Sequence, residues 1–190
     1  LIFTSGINIY ILLAIFIAGA SLLAYLIIYV PKFDYIQGRI FSFFNRETGT
    51  HNFQSDKAIE SITSGGFFGK GIGEGVLKNR VPEAHTDYII SVISEEFGVV
   101  AIMLILLLFL ILIYMVFKKI SFETNDKVKL ILIGSTSLIL MQATIHVGVN
   151  IRLFPTTGMT LPFLSYGGSS IISTSILAGI ILNLTKRKIT

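Results

Sequence analysis

Residues 97–117 read FGVVAIMLILLLFLILIYMVF, from Phe97 to Phe117, with no charged side chain, and Lys118-Lys119 follow at once. A bilayer core is about 30 Å thick and takes ~20 apolar helical residues to cross. This stretch therefore predicts a membrane-spanning segment that ends at a basic pair. Backbone polar groups cannot be left unpaired in hydrocarbon, which leaves helices or closed barrels. A barrel strand would alternate apolar and polar residues over a short segment, and this run does not alternate.

Outward from it the same pattern recurs. Leu1 to Val30 holds no charge either, and predicts a span over 8–30 that stops at Pro31-Lys32. The central run extends upstream to give a span over 88–117. Residues 130–149 predict a third span, and residues 161–184 a fourth that stops at Lys186-Arg187-Lys188. The predicted fold class is all-α: a polytopic helical membrane protein with about four transmembrane helices and one large outer loop over 31–87, read as a single transmembrane unit over 1–190. Composition agrees. Of 190 residues 53% are apolar and 14% charged, against roughly 25% charged in soluble domains. The net charge of +4 does not point to nucleic acid, because the cations flank apolar spans and form no basic stripe with interleaved aromatics. The absence of cysteine excludes disulfides. The chain begins at Leu1 with no basic segment ahead of its first apolar run, so the expectation is a sequence that begins inside a larger protein, not one that opens with a signal peptide.

Charge also predicts orientation. Lys118, Lys119, Lys127 and Lys129 separate the second and third spans, and Lys186, Arg187 and Lys188 follow the fourth. An even number of crossings puts both clusters on one side, which the positive-inside rule makes cytoplasmic. The segment 31–87 then faces outward. It holds seven Lys/Arg and seven Asp/Glu, so it does not contest the assignment. Loops beyond about 15 residues are usually functional or disordered. Phe33, Phe41, Phe43, Phe44 and Phe53 give this one enough apolar bulk to lie on the membrane surface or pack over the helices.

Four constellations carry chemistry. Residues 64–75, SGGFFGKGIGEG, place six glycines around Lys70. Successive N–H groups beside a lysine can form an anion nest for a phosphate or sugar, although on glycine content alone a flexible turn-rich loop is the stronger reading. Residues 78–88, KNRVPEAHTDY, gather Lys78, Arg80, Glu83, His85 and Asp87 just ahead of the second span. Thr86 or Asp87 can serve there as an N-cap, or Asp87 can be a carboxylate kept ionised by the positive end of the helix and able to accept a proton. Glu95 and Glu96 follow two turns on. Intramembrane carboxylates default to a functional hypothesis, and at headgroup depth they are merely solvated. Gln142, His146 and Asn150 share one helix face at four-residue spacing, a stripe for interhelical hydrogen bonds or a cavity wall. His146 has no paired His or Cys that would make a metal site. Last, residues 150–170 contain Arg152, whose guanidinium suits a diphosphate. Ser165, Ser169 and Ser173 follow at a small-xxx-small spacing that permits close packing.

At these residues the chain resembles the SEDS family of peptidoglycan glycosyltransferases (shape, elongation, division and sporulation). The matching stretches are Phe53-Gln54 through Gly73, Pro82-Glu83-Ala84-His85-Thr86-Asp87-Tyr88, Glu95-Glu96-Phe97-Gly98, and Phe154-Pro155-Thr156-Thr157-Gly158 through Ser170, in the family's order and spacing. Thr160 and Lys78 lean toward the division-type members. His146 stands where the family commonly has asparagine, and Arg80-Val81 replaces its usual Tyr-Leu.

The resemblance implies the last four helices of a ten-helix enzyme that polymerises lipid II into glycan strands at the outer face of the bacterial cytoplasmic membrane, at the division septum. It maps the family's essential aspartate onto Asp87 as general base. It implies as partners the lipid II substrate, a class B penicillin-binding protein acting as transpeptidase, divisome proteins and membrane lipid. The expected substrate-binding set is Lys78, Arg152, Arg80, Lys70, Glu83, His85, Glu95 and Ser165, with the cations facing the undecaprenyl diphosphate. A divalent cation, Mg or Mn, could share that task with Asp87 or Glu83 as oxygen ligands, and the sequence leaves its use open. The alternatives are a lipid II flippase using Glu95, Glu96 and His146, an elongation-type polymerase, and a non-catalytic division scaffold.

Overall fold

The structure is a computed structural model that describes residues 8–44, 50–76 and 83–186. Lys78, Arg80 and Pro82, and Arg187 and Lys188 at the far end, lie outside the described residues. The chain divides into two compact units, Leu1–Asn52 and Phe53–Thr190, where the sequence reads as one. The helices are α1 (Ile9–Tyr29), α2 (Asp34–Phe44), α3 (Thr50–Gly65), α4 (Ile89–Phe122), α5 (Asp126–Asn150) and α6 (Gly168–Thr185), with a 3₁₀ turn over Pro31–Phe33, and the described residues contain no strand. Four helices, α1, α4, α5 and α6, are long and apolar enough to cross a membrane, as the charge-free runs predict, so the chain is a multi-pass membrane protein.

In the first unit α1 buries none of its side chains, the condition of a helix facing lipid. Asn8 caps it through a bond from Tyr10 N to Oδ1 of 3.1 Å. The Pro31 turn then leads into α2, whose Tyr35, Phe41 and Phe44 are exposed.

In the second unit α4, α5 and α6 pack on one another. One end of this bundle is apolar, with Val116, Leu132, Ile139 and Ile181 buried together. There the α4–α5 turn carries Glu123, whose carboxyl is held below its ordinary range, chiefly by a hydrogen bond from Lys119. At the other end α3 lies over the bundle, and its Ala58 joins Ala84, Tyr88, Val92 and Val149. The buried face of α3 is Ser55, Ala58, Ser61 and Gly65, small residues at helical spacing that let backbones approach closely.

Two elements depart from the sequence reading. The fourth span, expected over 161–184, begins as a helix only at Gly168. Pro162 brings no N–H to a helix, and Phe163 has φ +67°, so residues 161–167 form an irregular turn despite their apolar character. The second span, expected as one rod over 88–117, is broken at Gly98, which has φ 78° and ψ 179°. In an unbroken helix Val99 N and Val100 N would bond to the carbonyls four residues back, those of Glu95 and Glu96. Instead they bond to Gly66 O at 3.0 Å and Phe67 O at 3.3 Å, while Lys70 N takes Glu95 O at 2.8 Å and Gly71 N takes Glu96 O at 3.0 Å. The glycine-rich loop is thus spliced into the helix, and it satisfies all four groups that the break would strand. A Cβ on Gly69 would sit 2.2 Å from Glu96 O, and one on Gly98 2.1 Å from Phe67 O. Those two glycines are therefore demanded by backbone contact.

The break also sets depth. From Val99 to Phe117 the helix rises roughly 28 Å at about 1.5 Å per residue, close to the ~30 Å of hydrocarbon. Ile89–Phe97, with Glu95 and Glu96, is then left at headgroup level or beyond.

Candidate active site

Two of the loop amides expected to cradle an anion, Lys70 N and Gly71 N, bond Glu95 O and Glu96 O, so this part of the stretch 64–75 serves the helix break. Glu95 is 0% exposed. Its carboxylate accepts from Lys70 Nζ at 3.1 Å, Val76 N at 3.1 Å and Ser61 Oγ at 3.2 Å. Lys70 also donates to Ser64 Oγ at 3.0 Å. A buried carboxylate needs a partner charge and hydrogen bonds, and Lys70, Ser61 and the Val76 amide provide both. Two residues expected on the substrate thus hold each other.

Asp87 is half-buried in a turn over residues 83–88 that leads into α4. Its N–H donates to Glu83 O at 3.0 Å, and its C=O accepts from Asn150 Nδ2 at 2.9 Å. The helix N-cap is Tyr88, with no side-chain cap bond, so the capping role open to Thr86 or Asp87 is not used. Thr86 Oγ1 bonds Glu83 Oε2 at 2.8 Å instead, and Glu83 is exposed with φ +59°. Facing Asp87 is Gly158, at φ +69°, where a methyl group would lie 3.5 Å from Asp87 Oδ2. His85 is exposed; its C=O accepts from Tyr166 N at 3.0 Å. Ser165 Oγ is a staple, accepting from Leu161 N at 2.8 Å and donating to Thr86 O at 2.7 Å. It joins the Asp87 turn to the loop before α6.

The polar stripe on α5 holds the same two segments. Gln142 Nε2 donates to Thr160 O at 2.9 Å and to Ser170 Oγ at 3.0 Å, the interhelical role its spacing allows. His146 Nδ1 lies 2.7 Å from Met159 O, and Asn150 reaches Asp87. Past the end of α5, Leu153 N bonds Gly148 O at 2.7 Å and Arg152 N bonds Val149 O at 3.1 Å, a Schellman ending. Arg152 occupies its left-handed position at φ +59°, where glycine is usual, and its guanidinium pairs with Asp56 on α3.

Sequence reasoning did not single out Asp56, Ser61, Ser91 or Met159. Ser91 carries a faint signal, since it lies one helical turn after Asp87. The other three meet their partners only through tertiary packing. Among the described residues no group of three or more His, Asp or Glu converges as a protein metal cage requires.

The chain is 36% identical over 183 residues to the probable peptidoglycan glycosyltransferase FtsW of Enterococcus hirae, covering 91% of this chain and 46% of that protein. It is 38% identical over 158 residues to the probable peptidoglycan glycosyltransferase FtsW of Caulobacter vibrioides, covering 82% of this chain and 40% of that protein. The chain thus spans about half the length of the curated relatives it matches. A solved structure described as "Structural coordination of polymerization and crosslinking by a peptidoglycan synthase complex" shares the fold at a TM-score of 0.66 and 24% identity, over 91% of this chain and 48% of that one. The profile of the FtsW/RodA/SpoVE family, described as cell cycle proteins, matches residues 1–189, and the chain belongs to that family.

Proposed function

We propose that the protein is a peptidoglycan glycosyltransferase, acting during cell division, in which Asp87 is the general base for polymerising lipid II into glycan strands. The observation that carries the reading is Asp87 itself: a half-buried carboxylate ahead of α4, its peptide held on both sides, facing the open Cα of Gly158. The names of the relatives support the same chemistry.

A sugar hydroxyl attacks the anomeric carbon of the lipid-linked donor. As that C–O bond forms, the hydroxyl proton passes to Asp87. The bond from the anomeric carbon to the diphosphate breaks, and undecaprenyl diphosphate leaves with the electron pair. Asp87 precedes Tyr88, the N-cap of α4, and a general base at that position would supply about 10²- to 10⁴-fold. The leaving diphosphate needs cations. Arg152 suits the role, because its pair with Asp56 is partly exposed and such pairs are worth only ~0–1 kcal/mol. Lys70 stands last, since removing it from Glu95 would strand a buried charge. Lys78 and Arg80 enter from the sequence alone, as do Glu83 and His85 at the mouth. A divalent cation, Mg²⁺ or Mn²⁺, bound between Asp87 or Glu83 and the diphosphate would add positive charge at the leaving group.

The lysine-rich ends support, by the positive-inside rule, an Asp87 that faces outward from the cytoplasmic membrane, on the side where a class B penicillin-binding protein and the division machinery at the septum would complete the assembly. The transport reading needs Glu95, Glu96 and His146 along one path. Glu95 is instead closed off by Lys70, Ser61 and Val76 N, which favours catalysis. The test is Asp87→Asn in the complete protein. It should insert and fold normally and lose strand synthesis by at least about 10²-fold. A purified variant that polymerised lipid II in detergent at the normal rate would remove Asp87 from the reaction.

A further inference from the structure

We propose that Asn150 is a positioning residue for this reaction: its carboxamide fixes the direction in which Asp87 projects, and Ser91 fixes the carboxamide. The proposal rests on Asp87 being the base.

Asn150 is the last residue of α5 and 0% exposed. Its Oδ1 accepts from Ser91 Oγ at 2.8 Å and Ser91 N at 3.3 Å. Its Nδ2 donates to Asp87 O at 2.9 Å and His146 O at 2.9 Å. The amide cannot be turned over, because Ser91 N is an obligatory donor and the two carbonyls are obligatory acceptors. All four hydrogen-bonding sites of the carboxamide are used.

Asp87 O lies ahead of the first rung of α4, where Ser91 N bonds Tyr88 O at 3.0 Å. Asn150 supplies what the helix ladder does not. With Asp87 N on Glu83 O and Asp87 O on Asn150, the peptides on both sides of the Asp87 Cα are held. The Cα–Cβ bond then has one direction, and only the two side-chain torsions remain. The same face of α5 sets the opposite wall, since His146 and Gln142 hold Met159 O and Thr160 O beside Gly158. The gap between Asp87 Oδ2 and Gly158 is therefore measured from one helix. A residue needed only to fill space at 150 would be served by an apolar side chain, without the four bonds.

The variants are Asn150→Asp and Ser91→Ala, made in the complete protein and assayed for glycan polymer from lipid II in detergent. Asn150→Asp keeps the shape and the acceptor for Ser91 but turns an oxygen toward two carbonyls. Ser91→Ala leaves the bond to Asp87 and loosens its support. A misplacement near 1 Å costs about 10²-fold. Asn150→Asp should therefore lower kcat by about that factor and Ser91→Ala by about tenfold, with KM little changed. Ser91→Ala, which adds no charge beside Asp87, should also move the acid limb of the pH profile if that limb belongs to the base. A change acting through the fold alone scales the profile without moving it, and that result would overturn the proposal. If Asn150→Asp fails to accumulate, Ser91→Ala decides on the same readout. In the Asp87→Asn background neither change should lower any residual rate further. Failure of the Asp87 assignment itself would be seen separately, as full activity in Asp87→Asn alone.

Discussion

The two ends of the α4–α5–α6 bundle are built on different principles. Around Val116, Leu132, Ile139 and Ile181 the helices meet through apolar side chains. Lipid is as apolar as leucine, so such contacts gain little beyond close packing. Around Asp87 the buried residues include Ser61, Ser91, Glu95, His146, Asn150 and Ser165, each with a hydrogen-bonded partner at stated geometry. Apolar packing tolerates a small slide or rotation. A hydrogen-bonded network does not, because each misaligned buried group loses about 1–3 kcal/mol. Directional bonding is concentrated around the proposed base.

The largest expected effect breaks the splice at the polar end. Gly98→Val forces a β-branched residue to φ 78° and drives its Cβ into Phe67 O. It should cost more than about 4 kcal/mol and prevent folded protein from accumulating in the membrane, as read by size-exclusion of the solubilised protein. Next, Lys70→Met takes from the buried Glu95 carboxylate the lysine it is paired with. Breaking such a pair costs about 3 kcal/mol, visible as a fall in melting temperature. The double change Lys70→Met with Glu95→Gln should recover most of it, and an additive double variant would contradict the coupling. Ile139→Val at the apolar end should cost about 1 kcal/mol and leave the rate per folded molecule unchanged. A specific loss of rate there would erase the contrast between the two ends. The smallest effect is the sharpest. Arg152→Gly relieves a left-handed backbone worth about 1–2 kcal/mol while losing a partly exposed ion pair worth up to ~1 kcal/mol, so stability should barely move or rise slightly. Arg152→Ala keeps the strain and should be less stable than Arg152→Gly by thermal melting. Reversed ordering would show that the side chain, not the backbone, governs that turn.

The membrane-crossing helices could be read from the sequence because charge is excluded from hydrocarbon, and the runs before Pro31, before Lys118 and before Lys186 declare themselves. The residues 82–88 carry a family pattern, and that pattern is what singles out Asp87 for the proposed role. The helix α3 could not be read, since its inward face of Ser55, Ala58, Ser61 and Gly65 does not look apolar. Nor could the use of the glycine-rich loop. Its composition advertises an anion site, but two of its amides go to Glu95 O and Glu96 O, and the need for them arises only at the tertiary break announced by one glycine. The apolar Leu161, Phe163 and Leu164 predict an early start for the fourth helix, yet Pro162 and the Phe163 backbone oppose a helix there.

The interruption at Gly98 has a mechanical consequence. Bilayers differ in thickness, and a long rod answers by tilting. In α4 two rungs of the ladder are exchanged for bonds to a neighbouring segment, so torque on the lipid-embedded part meets a joint before it reaches the head that carries residue 87. One polypeptide can thus ride a fluctuating membrane below and keep a steady bench for chemistry above.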